Sequence, residues 1–203
     1  MSADTQTRDM SELAAQVGPG TFVAVVGPSG AGKDSVINYA REKLAGNDNV
    51  LWVRRIITRA ADAQSEDHDT LSEAEFSAAE ERGEFALTWA AHGLRYGLPA
   101  SIDVAIRAGK VVVANTSRAV VGALEERYAN FSLVMVSAHP DVIARRLASR
   151  GREDDEEIAR RLSRLQMEAP MLSDAVRLEN SWPIEGAGER FVALLAEAVG
   201  TSH

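Results

Sequence analysis

The stretch Gly27-Pro28-Ser29-Gly30-Ala31-Gly32-Lys33-Asp34 is the part of the chain from which its fold can be read. It follows the apolar run 21–26 and leads into a helix-like segment, 35–44, which is the strand, loop and helix context of a phosphate-binding P-loop. Glycines let successive N–H groups point inward at phosphate oxygens, and the following helix adds its positive dipole end. Lys33 adds a mobile positive charge. The stretch therefore predicts a site for nucleotide phosphates formed by Gly27, Pro28, Ser29, Gly30, Ala31, Gly32, Lys33, Asp34 and Ser35.

Asp34 occupies the position after the lysine, where a Ser or Thr hydroxyl usually binds Mg²⁺. A carboxylate is also a hard oxygen ligand, so Asp34 could bind the metal directly or through water. It could equally cap the helix, since negative charge is favourable near a helix N-terminus. The two roles are compatible, and the sequence leaves both open.

Composition narrows the class of protein. A chain of 203 residues suits one α/β domain, and its net charge of -8 argues against a protein that coats nucleic acid. The absence of cysteine excludes disulfides and thiol chemistry. The N-terminus lacks the pattern of an export signal, and no apolar run approaches the ~20 residues that span a bilayer. We expect a cytoplasmic enzyme, monomeric or homodimeric, without membrane or nucleic-acid partners.

The rest of the chain reads as alternating strands and helices. Residues 1–20 are predicted to form a polar extension with a short helix at 10–17 ended by Gly18-Pro19-Gly20, and residues 21–203 a single domain. Amphipathic helical segments separate the predicted strands, which favours a parallel sheet with helices on both faces. These strands are apolar runs at residues 21–26, 51–57, 110–114 and 131–136.

Residues 58–108 interrupt this alternation. Ser72-Glu73-Ala74-Glu75 is a capping box that predicts a helix to about residue 82. Apolar segments at 85–90 and 94–98 flank a His92-Gly93 turn and predict a β-hairpin. We interpret this region as an insertion over the carboxyl edge of the sheet, where open α/β folds bind ligands.

Three arginines in the C-terminal half of the chain could form a site for an anion. Arg146 and Arg150 share one face of a helix predicted from His139-Pro140-Asp141 to residue 149, and Arg161 returns from a second helix at 156–167. The alternative is a solvated surface of acid–base pairs, because acidic residues crowd positions 153–157. Beside a P-loop we favour a cationic lid at about 145–162, since phosphoryl transfer needs positive charge and exclusion of water.

Together these features resemble the guanylate kinase superfamily from residue 21 to about residue 180. The resemblance rests on the P-loop, Thr58-Arg59, Tyr96-Gly97, Arg146 with Arg150-Gly151, Arg161, and Asn180 after the last strand-like run. It implies an α/β fold, a three-layer P-loop NTPase sandwich with a parallel central sheet, an acceptor-binding insertion and a helical lid. It also implies ATP and Mg²⁺ as cofactors, Asn180 near the adenine or simply in a turn, and four catalytic residues, Lys33, Arg146, Arg150 and Arg161.

Within the superfamily, the details are most similar to the branch that phosphorylates ribose 1,5-bisphosphate in phosphonate breakdown. The similar stretches are Gly32-Lys33-Asp34-Ser35 and residues 55–59, 66–68, 96–97 and 115–119. Guanylate kinases hold guanine with a Ser, a Glu and an Asp, and Arg55, Leu87 and Ser117 stand at those positions here. Leucine accepts no hydrogen bond from a base, so the resemblance implies a phosphorylated sugar as the acceptor.

The resemblance also implies which residues bind that acceptor. Arg59 and Tyr96 match residues that hold its phosphate, and His68 replaces a phosphate-holding tyrosine unless it is merely exposed. Arg55 would suit a second phosphate. However, Arg54 and Arg55 face opposite sides of a strand, so Arg55 could instead point outward.

Other polar residues have two possible roles. Asn115 and Ser117 could bind the acceptor or cap the helix that follows, and Arg118 could contact the ligand or be an ordinary exposed residue. The three tryptophans, Trp52, Trp89 and Trp182, are predicted to pack in the interior. The expected reaction makes 5-phosphoribosyl 1-diphosphate from ATP and ribose 1,5-bisphosphate. A nucleoside monophosphate kinase and a non-catalytic interaction module remain the alternatives.

Overall fold

The computed structural model describes residues 16–58, 68–91, 93–149 and 175–201. No helix within these ranges is both long and apolar enough to cross a bilayer. A short 3-10 turn, Arg118–Val120, precedes the helix Val121–Arg127. In chain order the elements are β1 (Val17–Val26), α1 (Lys33–Lys43), β2 (Val50–Val53), β3 (Arg55–Ile57), β4 (His68–Thr70), α2 (Glu73–Glu81), β5 (Phe85–Ala91), β6 (Leu94–Pro99), α3 (Ser101–Arg107), β7 (Val111–Asn115), α4 (Val121–Arg127), β8 (Tyr128–Ser137), α5 (Pro140–Ser149), β9 (Val176–Glu179) and α6 (Ile184–Thr201).

The main sheet has five strands in the order β2-β7-β1-β8-β9, and every neighbouring pair is parallel. Alternate residues of β1 serve opposite faces, as the pleat requires. Val23 and Val25 pack in a cluster with α1 and α6, whereas Phe22 and Ala24 pack with α3 and α4. Helices therefore cover both faces, and the predicted three-layer sandwich with a parallel central sheet is confirmed.

The second sheet has four strands in the order β4-β3-β6-β5 and belongs to the predicted insertion. Its β5–β6 hairpin agrees with the one expected at 85–98. The capping box of α2 also forms, because the Ser72 hydroxyl accepts from the Glu75 N–H at 3.3 Å and the Ser72 N–H donates to the Glu75 carboxylate at 2.8 Å. Local signals thus predicted α2 and the hairpin correctly, whereas the short strand β4 was not predicted.

Two predicted boundaries were wrong. The single strand expected at 51–57 is two strands: β2 pairs with β7 in the main sheet, whereas β3 joins β4 and β6 in the second sheet. Arg54 and Arg55 interrupt the apolar run where the two strands divide, but the sequence does not state which strands each part pairs with, since the partners are distant in sequence. Likewise β1 begins at Val17, so residues 17–20 belong to the core strand instead of an extension or its helix. Residues 1–15 and the helix predicted at 156–167 lie outside the described ranges.

The carboxyl ends of the parallel strands meet at one edge of the main sheet. β1 ends at Val26, just before the glycine-rich loop, and its neighbour β7 ends at Asn115. On the other side, β8 ends at Ser137 and β9 is followed by Asn180. Side chains that are far apart in sequence therefore gather at this edge, which is where open α/β sheets bind ligands.

Candidate active site

The glycine-rich loop joins β1 to α1 in a conformation that only glycine tolerates at two positions. Gly27 has φ 145°, and a Cβ there would lie 2.1 Å from the carbonyl oxygen of Val136. Gly32 has φ 87°, and its Cβ would lie 2.3 Å from Nδ2 of Asn180. Gly32 is also the N-cap of α1 and carries no capping side chain, so the first-turn N–H groups can serve an anion.

Lys33 is held against this loop. Its Nζ donates to the carbonyl oxygens of Gly27 at 2.9 Å and of Pro28 at 3.0 Å. Both carbonyls belong to the same turn that follows β1, so the ammonium group lies beside the loop instead of extending into solvent. A positive charge thus stands where the motif predicts the terminal phosphates of a nucleotide.

Asp34 and Asn115 contact each other. The Asn115 Nδ2 donates to the Asp34 Oδ1 at 2.6 Å, and Asn115 is only 7% exposed. The N-cap of α1 is Gly32, so Asp34 does not cap the helix, although its charge lies in the first turn. The capping alternative for Asn115 is also wrong, because the N-cap of the turn that follows is Ser117 and the Asn115 Oδ1 accepts no hydrogen bond from the described residues. Ser117 does cap the 3-10 turn, since its hydroxyl accepts from the Ala119 N–H at 3.3 Å.

A cavity of about 360 Å³ separates the loop from the insertion. One wall is the loop with Lys33, Asp34 and Ser35, and a second is the end of β7 and the turn after it, residues 115–118. The third wall comes from the second sheet and consists of Arg55, Trp89, Ala91 and Tyr96. The structure thus brings thirteen of the residues predicted for the site to one cavity: Gly27, Pro28, Ser29, Gly30, Gly32, Lys33, Asp34, Ser35, Arg55, Tyr96, Asn115, Ser117 and Arg118. The predicted loop residue Ala31 is buried and does not line it.

Arg55 faces this cavity, and its neighbour does not. The Arg55 guanidinium carbon lies 5.9 Å from the centroid of the Tyr96 ring, and within the described residues its buried Nε has no hydrogen-bond partner. Arg54 instead pairs with Asp69 at 3.3 Å. The strand alternation left the direction of Arg55 open, and the fold turns it inward.

Trp89 is a lining residue that our sequence analysis missed. Its ring stacks on Tyr96 with centroids 5.3 Å apart and 9° between the planes. It also packs against the hydrophobic cluster beneath the hairpin, which agrees in part with the predicted packing role. A signal was available, because a hairpin turn at 92–93 places residues 89 and 96 opposite each other, as observed. Leu87, by contrast, pairs with Leu98 and packs against the core.

A second cavity of about 300 Å³ lies on the other side of Gly30 and Gly32. Arg146 lines it and donates to the carbonyl oxygens of Ala31 at 3.3 Å and of Asn180 at 2.9 Å. The Asn180 amide donates to the same Ala31 oxygen at 2.8 Å, so the two side chains brace the loop from behind.

Trp182 stands at the rim of this second cavity with 81% of its surface exposed. Its predicted packing role is therefore wrong. Trp52, by contrast, packs against the main core cluster as predicted.

The comparison with curated proteins identifies the family. The chain is 49% identical over 178 residues to the ribose 1,5-bisphosphate phosphokinase PhnN of Brucella melitensis, covering 88% of this chain and 93% of that protein. It is 47% identical over 197 residues to the protein of the same name from a Chelativorans species, covering 96% and 94%. The chain belongs to the ribose 1,5-bisphosphate phosphokinase family. As a member of this phosphokinase family it is a kinase, and the predicted resemblance is confirmed.

Solved structures support the fold of this phosphokinase. A guanylate kinase from Anaplasma phagocytophilum superposes with a TM-score of 0.64 at 18% identity, covering 88% of this chain and 85% of that one. A sugar kinase from a Janibacter species superposes with a TM-score of 0.52 at 18% identity, covering 91% and 99%. At such identities the likeness concerns the fold alone, and it confirms the guanylate kinase-like class. No protein-family model matches the chain.

Some predicted residues of the phosphokinase lie outside the described ranges. These are Arg59 in the insertion and the lid arginines Arg150 and Arg161. The backbone of His68 pairs with Arg55 at the start of β4, but its side chain is not among those described. The lid and the contacts of these four side chains therefore stay predictions.

Proposed function

We propose that this phosphokinase transfers the γ-phosphoryl group of ATP to the 1-phosphate of ribose 1,5-bisphosphate, within phosphonate catabolism. An oxygen of the 1-phosphate forms the new bond to the γ phosphorus, and the bond between that phosphorus and the bridging oxygen of ADP breaks. The products are ADP and 5-phosphoribosyl 1-diphosphate. The observation that carries the proposal is a single cavity with the P-loop on one side and Arg55 with Tyr96 on the other. A phosphate oxygen is ionised at neutral pH, so the reaction needs no general base.

The loop side of the cavity suits the donor. The glycine-rich loop, the start of α1 with its uncapped N–H groups and the ammonium of Lys33 all line the same space and present positive charge to it. Gly30, Gly32 and Ser35 line both this cavity and the second one, so a nucleotide whose phosphates lie on the loop can extend into the second cavity. We therefore assign the base to the second cavity, beside Asn180 and Trp182.

Asp34 suits a Mg²⁺ ion bound with the nucleotide. Its carboxylate lines the cavity one residue after Lys33, and carboxylate oxygens are ligands that Mg²⁺ prefers. Bound Mg²⁺ would neutralise charge on the β and γ phosphates. Lys33 and the three lid arginines, Arg146, Arg150 and Arg161, would add to this neutralisation and hold the two substrates in line.

The insertion side suits a phosphorylated sugar. A planar guanidinium binds a phosphate through two parallel hydrogen bonds, and Arg55 presents one to the cavity. The stacked rings of Trp89 and Tyr96 offer a flat apolar wall to the carbon face of a sugar. Arg118 and Ser117 line the opposite wall, and Arg59 and His68 remain further candidates for the acceptor's phosphates. Because Leu87 packs in the core, its position offers a base no hydrogen bond.

A panel of acceptors tests this assignment. We expect ADP release with ribose 1,5-bisphosphate to exceed release with GMP, AMP or dTMP by about 10²-fold or more in kcat/KM, because Leu87, at the position that reads a base, offers it no hydrogen bond. Coupled ADP detection measures all four acceptors under one condition. A faster reaction with a nucleoside monophosphate would make the chain a nucleoside monophosphate kinase. A chain that neither binds ATP nor turns over any acceptor would be a non-catalytic module.

The assignment of the base predicts a fluorescence signal from Trp182. We expect ATP to quench the protein's tryptophan emission and the quench to disappear in Trp182→Phe, because a base stacked on an exposed indole alters its emission. Trp182→Ala should weaken ATP binding about tenfold, since stacking contributes on the order of 1 kcal/mol or more. Trp52→Phe is the control and should keep the quench, because Trp52 packs in the core. A quench that persists without Trp182 would move the base elsewhere.

A further inference from the structure

The carboxylate and the neutral polar group beside the glycine-rich loop are exchanged relative to the usual P-loop arrangement: Asp34 follows the loop and Asn115 ends the neighbouring strand β7. In P-loop NTPases the metal is usually held by a loop Ser or Thr hydroxyl and by an aspartate of a second motif. Here the loop position is occupied by the carboxylate of Asp34, and the end of β7 carries the amide of Asn115. β7 lies beside β1, and Asn115 is in register with Val25, close to where the loop begins. The two side chains therefore lie on the elements that usually hold the metal, but the carboxylate is next to the loop and the neutral group is on the strand.

The contact between the two side chains dictates how the Asn115 amide is oriented. A carboxylate only accepts hydrogen bonds, so Asn115 must turn its NH₂ group toward Asp34, as the 2.6 Å contact shows. The consequence is that the Asn115 Oδ1 is buried without a partner among the described residues. A buried, unpaired acceptor is unfavourable for stability. Stability alone therefore does not account for this asparagine, and its use as a support for Asp34 does.

A neutral partner is also what this carboxylate requires. An aspartate at position 115 would bring two negative charges into contact, and like charges at such a distance oppose ionisation of both. Asparagine keeps the hydrogen bond without the second charge. The bond engages Oδ1 of Asp34 and leaves Oδ2 as the oxygen for a hard cation.

We propose that Asn115 is a positioning residue that orients Asp34 toward a nucleotide-bound divalent cation, and that Asp34 and Asn115 together replace the usual hydroxyl and aspartate. This inference rests on the ATP·Mg²⁺ site proposed above. It also commits one of the two N–H donors of the Asn115 amide to Asp34.

A reciprocal exchange tests the proposal without turnover. The variants are Asp34→Ser, Asn115→Ala, Asn115→Asp, and the double variant Asp34→Ser with Asn115→Asp. Electron paramagnetic resonance measures the affinity for Mn²⁺ in the presence of saturating ADP, with no acceptor in the sample. Asp34→Ser and Asn115→Ala should each weaken Mn²⁺ binding about tenfold or more, the range typical of groups that hold or orient a metal ligand.

The two variants that place an aspartate at position 115 give the most specific expectations. Asn115→Asp alone should lower the melting temperature of the ligand-free protein, and Mn²⁺ with ADP should raise that temperature more than in wild type. The double variant again has one carboxylate and one hydrogen-bonding partner. We therefore expect its Mn²⁺ affinity to return to within about threefold of wild type, so that the two changes are strongly non-additive.

Asn130→Ala is the matched control. Asn130 also donates its amide over 2.6 Å, but to the Pro19 carbonyl at the opposite end of the main sheet, so Mn²⁺ affinity should not change. Wild-type affinity in Asn115→Ala, or a double variant as weak as Asp34→Ser, would overturn the role of Asn115. A wild-type protein that does not bind Mn²⁺ with ADP would overturn the nucleotide site and this inference together. The choice of acceptor has no effect on any of these measurements.

Discussion

Lys33→Ala is expected to lower kcat about 10²- to 10³-fold, the usual effect of removing one preorganised charge from the transition state. The Nζ of Lys33 donates to the main-chain oxygens of Gly27 and Pro28 at 2.9 and 3.0 Å. The donor is charged, but Gly27 and Pro28 line the cavity, where water can replace the ammonium. We therefore expect the free energy of unfolding to fall by about 1.5 kcal/mol, the lower end for hydrogen bonds to charged groups. ADP release gives the rate, and urea unfolding gives the stability.

Lys43→Ala is the control for this variant. Lys43 is the last residue of the same helix, α1, and forms an exposed ion pair with Glu189 at 2.9 Å. Such pairs contribute about 1 kcal/mol at most, and Lys43 lies far along the helix from the loop. Both rate and stability should therefore stay close to wild type. If Lys33→Ala kept its kcat, or lost stability in proportion to rate, Lys33 would be a structural brace of the loop.

Arg55→Ala should lower kcat/KM for ribose 1,5-bisphosphate about 10²-fold and leave ATP affinity unchanged. The reason is the loss of a charge-assisted, bidentate contact to a phosphate in a partly closed cavity. Since Arg59 and Tyr96 are expected to hold the reacting 1-phosphate, Arg55 is assigned to the 5-phosphate. Initial rates across acceptor concentrations give kcat/KM, and titration calorimetry gives the affinity for ATP.

Arg54→Ala is the matched control, because Arg54 is the preceding residue and pairs with Asp69 outside the cavity. It should retain near wild-type kcat/KM. A truncated acceptor, ribose 1-phosphate, lacks the group that Arg55 is proposed to bind. In wild type, kcat/KM should therefore be much lower with ribose 1-phosphate than with ribose 1,5-bisphosphate. In Arg55→Ala the two acceptors should have similar kcat/KM values. Equal effects of Arg54→Ala and Arg55→Ala, or full additivity of the two deletions, would contradict the assignment.

The donor loop and the helix and hairpin of the insertion were predictable from sequence because their signals are local. The glycines, lysine and flanking elements of the P-loop lie within one short segment, and the Ser72 capping box needs only four residues. The register of a hairpin with its turn at 92–93 also places Trp89 opposite Tyr96. In each case the interacting groups are close in sequence, so geometry along the chain determines whether they meet.

The direction of Arg55 and the exposure of Trp182 were less predictable. The two arginines within residues 51–57 do not state that the chain leaves one sheet at Arg54 and enters another, yet that change of sheet gives Arg55 its direction. Nor does composition distinguish a tryptophan in the core, such as Trp52, from one at a cavity rim, such as Trp182. Both depend on what packs against the residue from elsewhere in the chain.

For this phosphokinase, the amino-acid sequence was enough to establish the P-loop, the alternation of strands and helices and the family. The partnership of Asp34 with Asn115, 81 positions apart, emerged only from the folded chain. The physical reason is that backbone preferences depend on near neighbours, whereas contacts between distant side chains depend on the order and register of strands. In this protein β7 lies next to β1, and that adjacency brings the amide to the carboxylate.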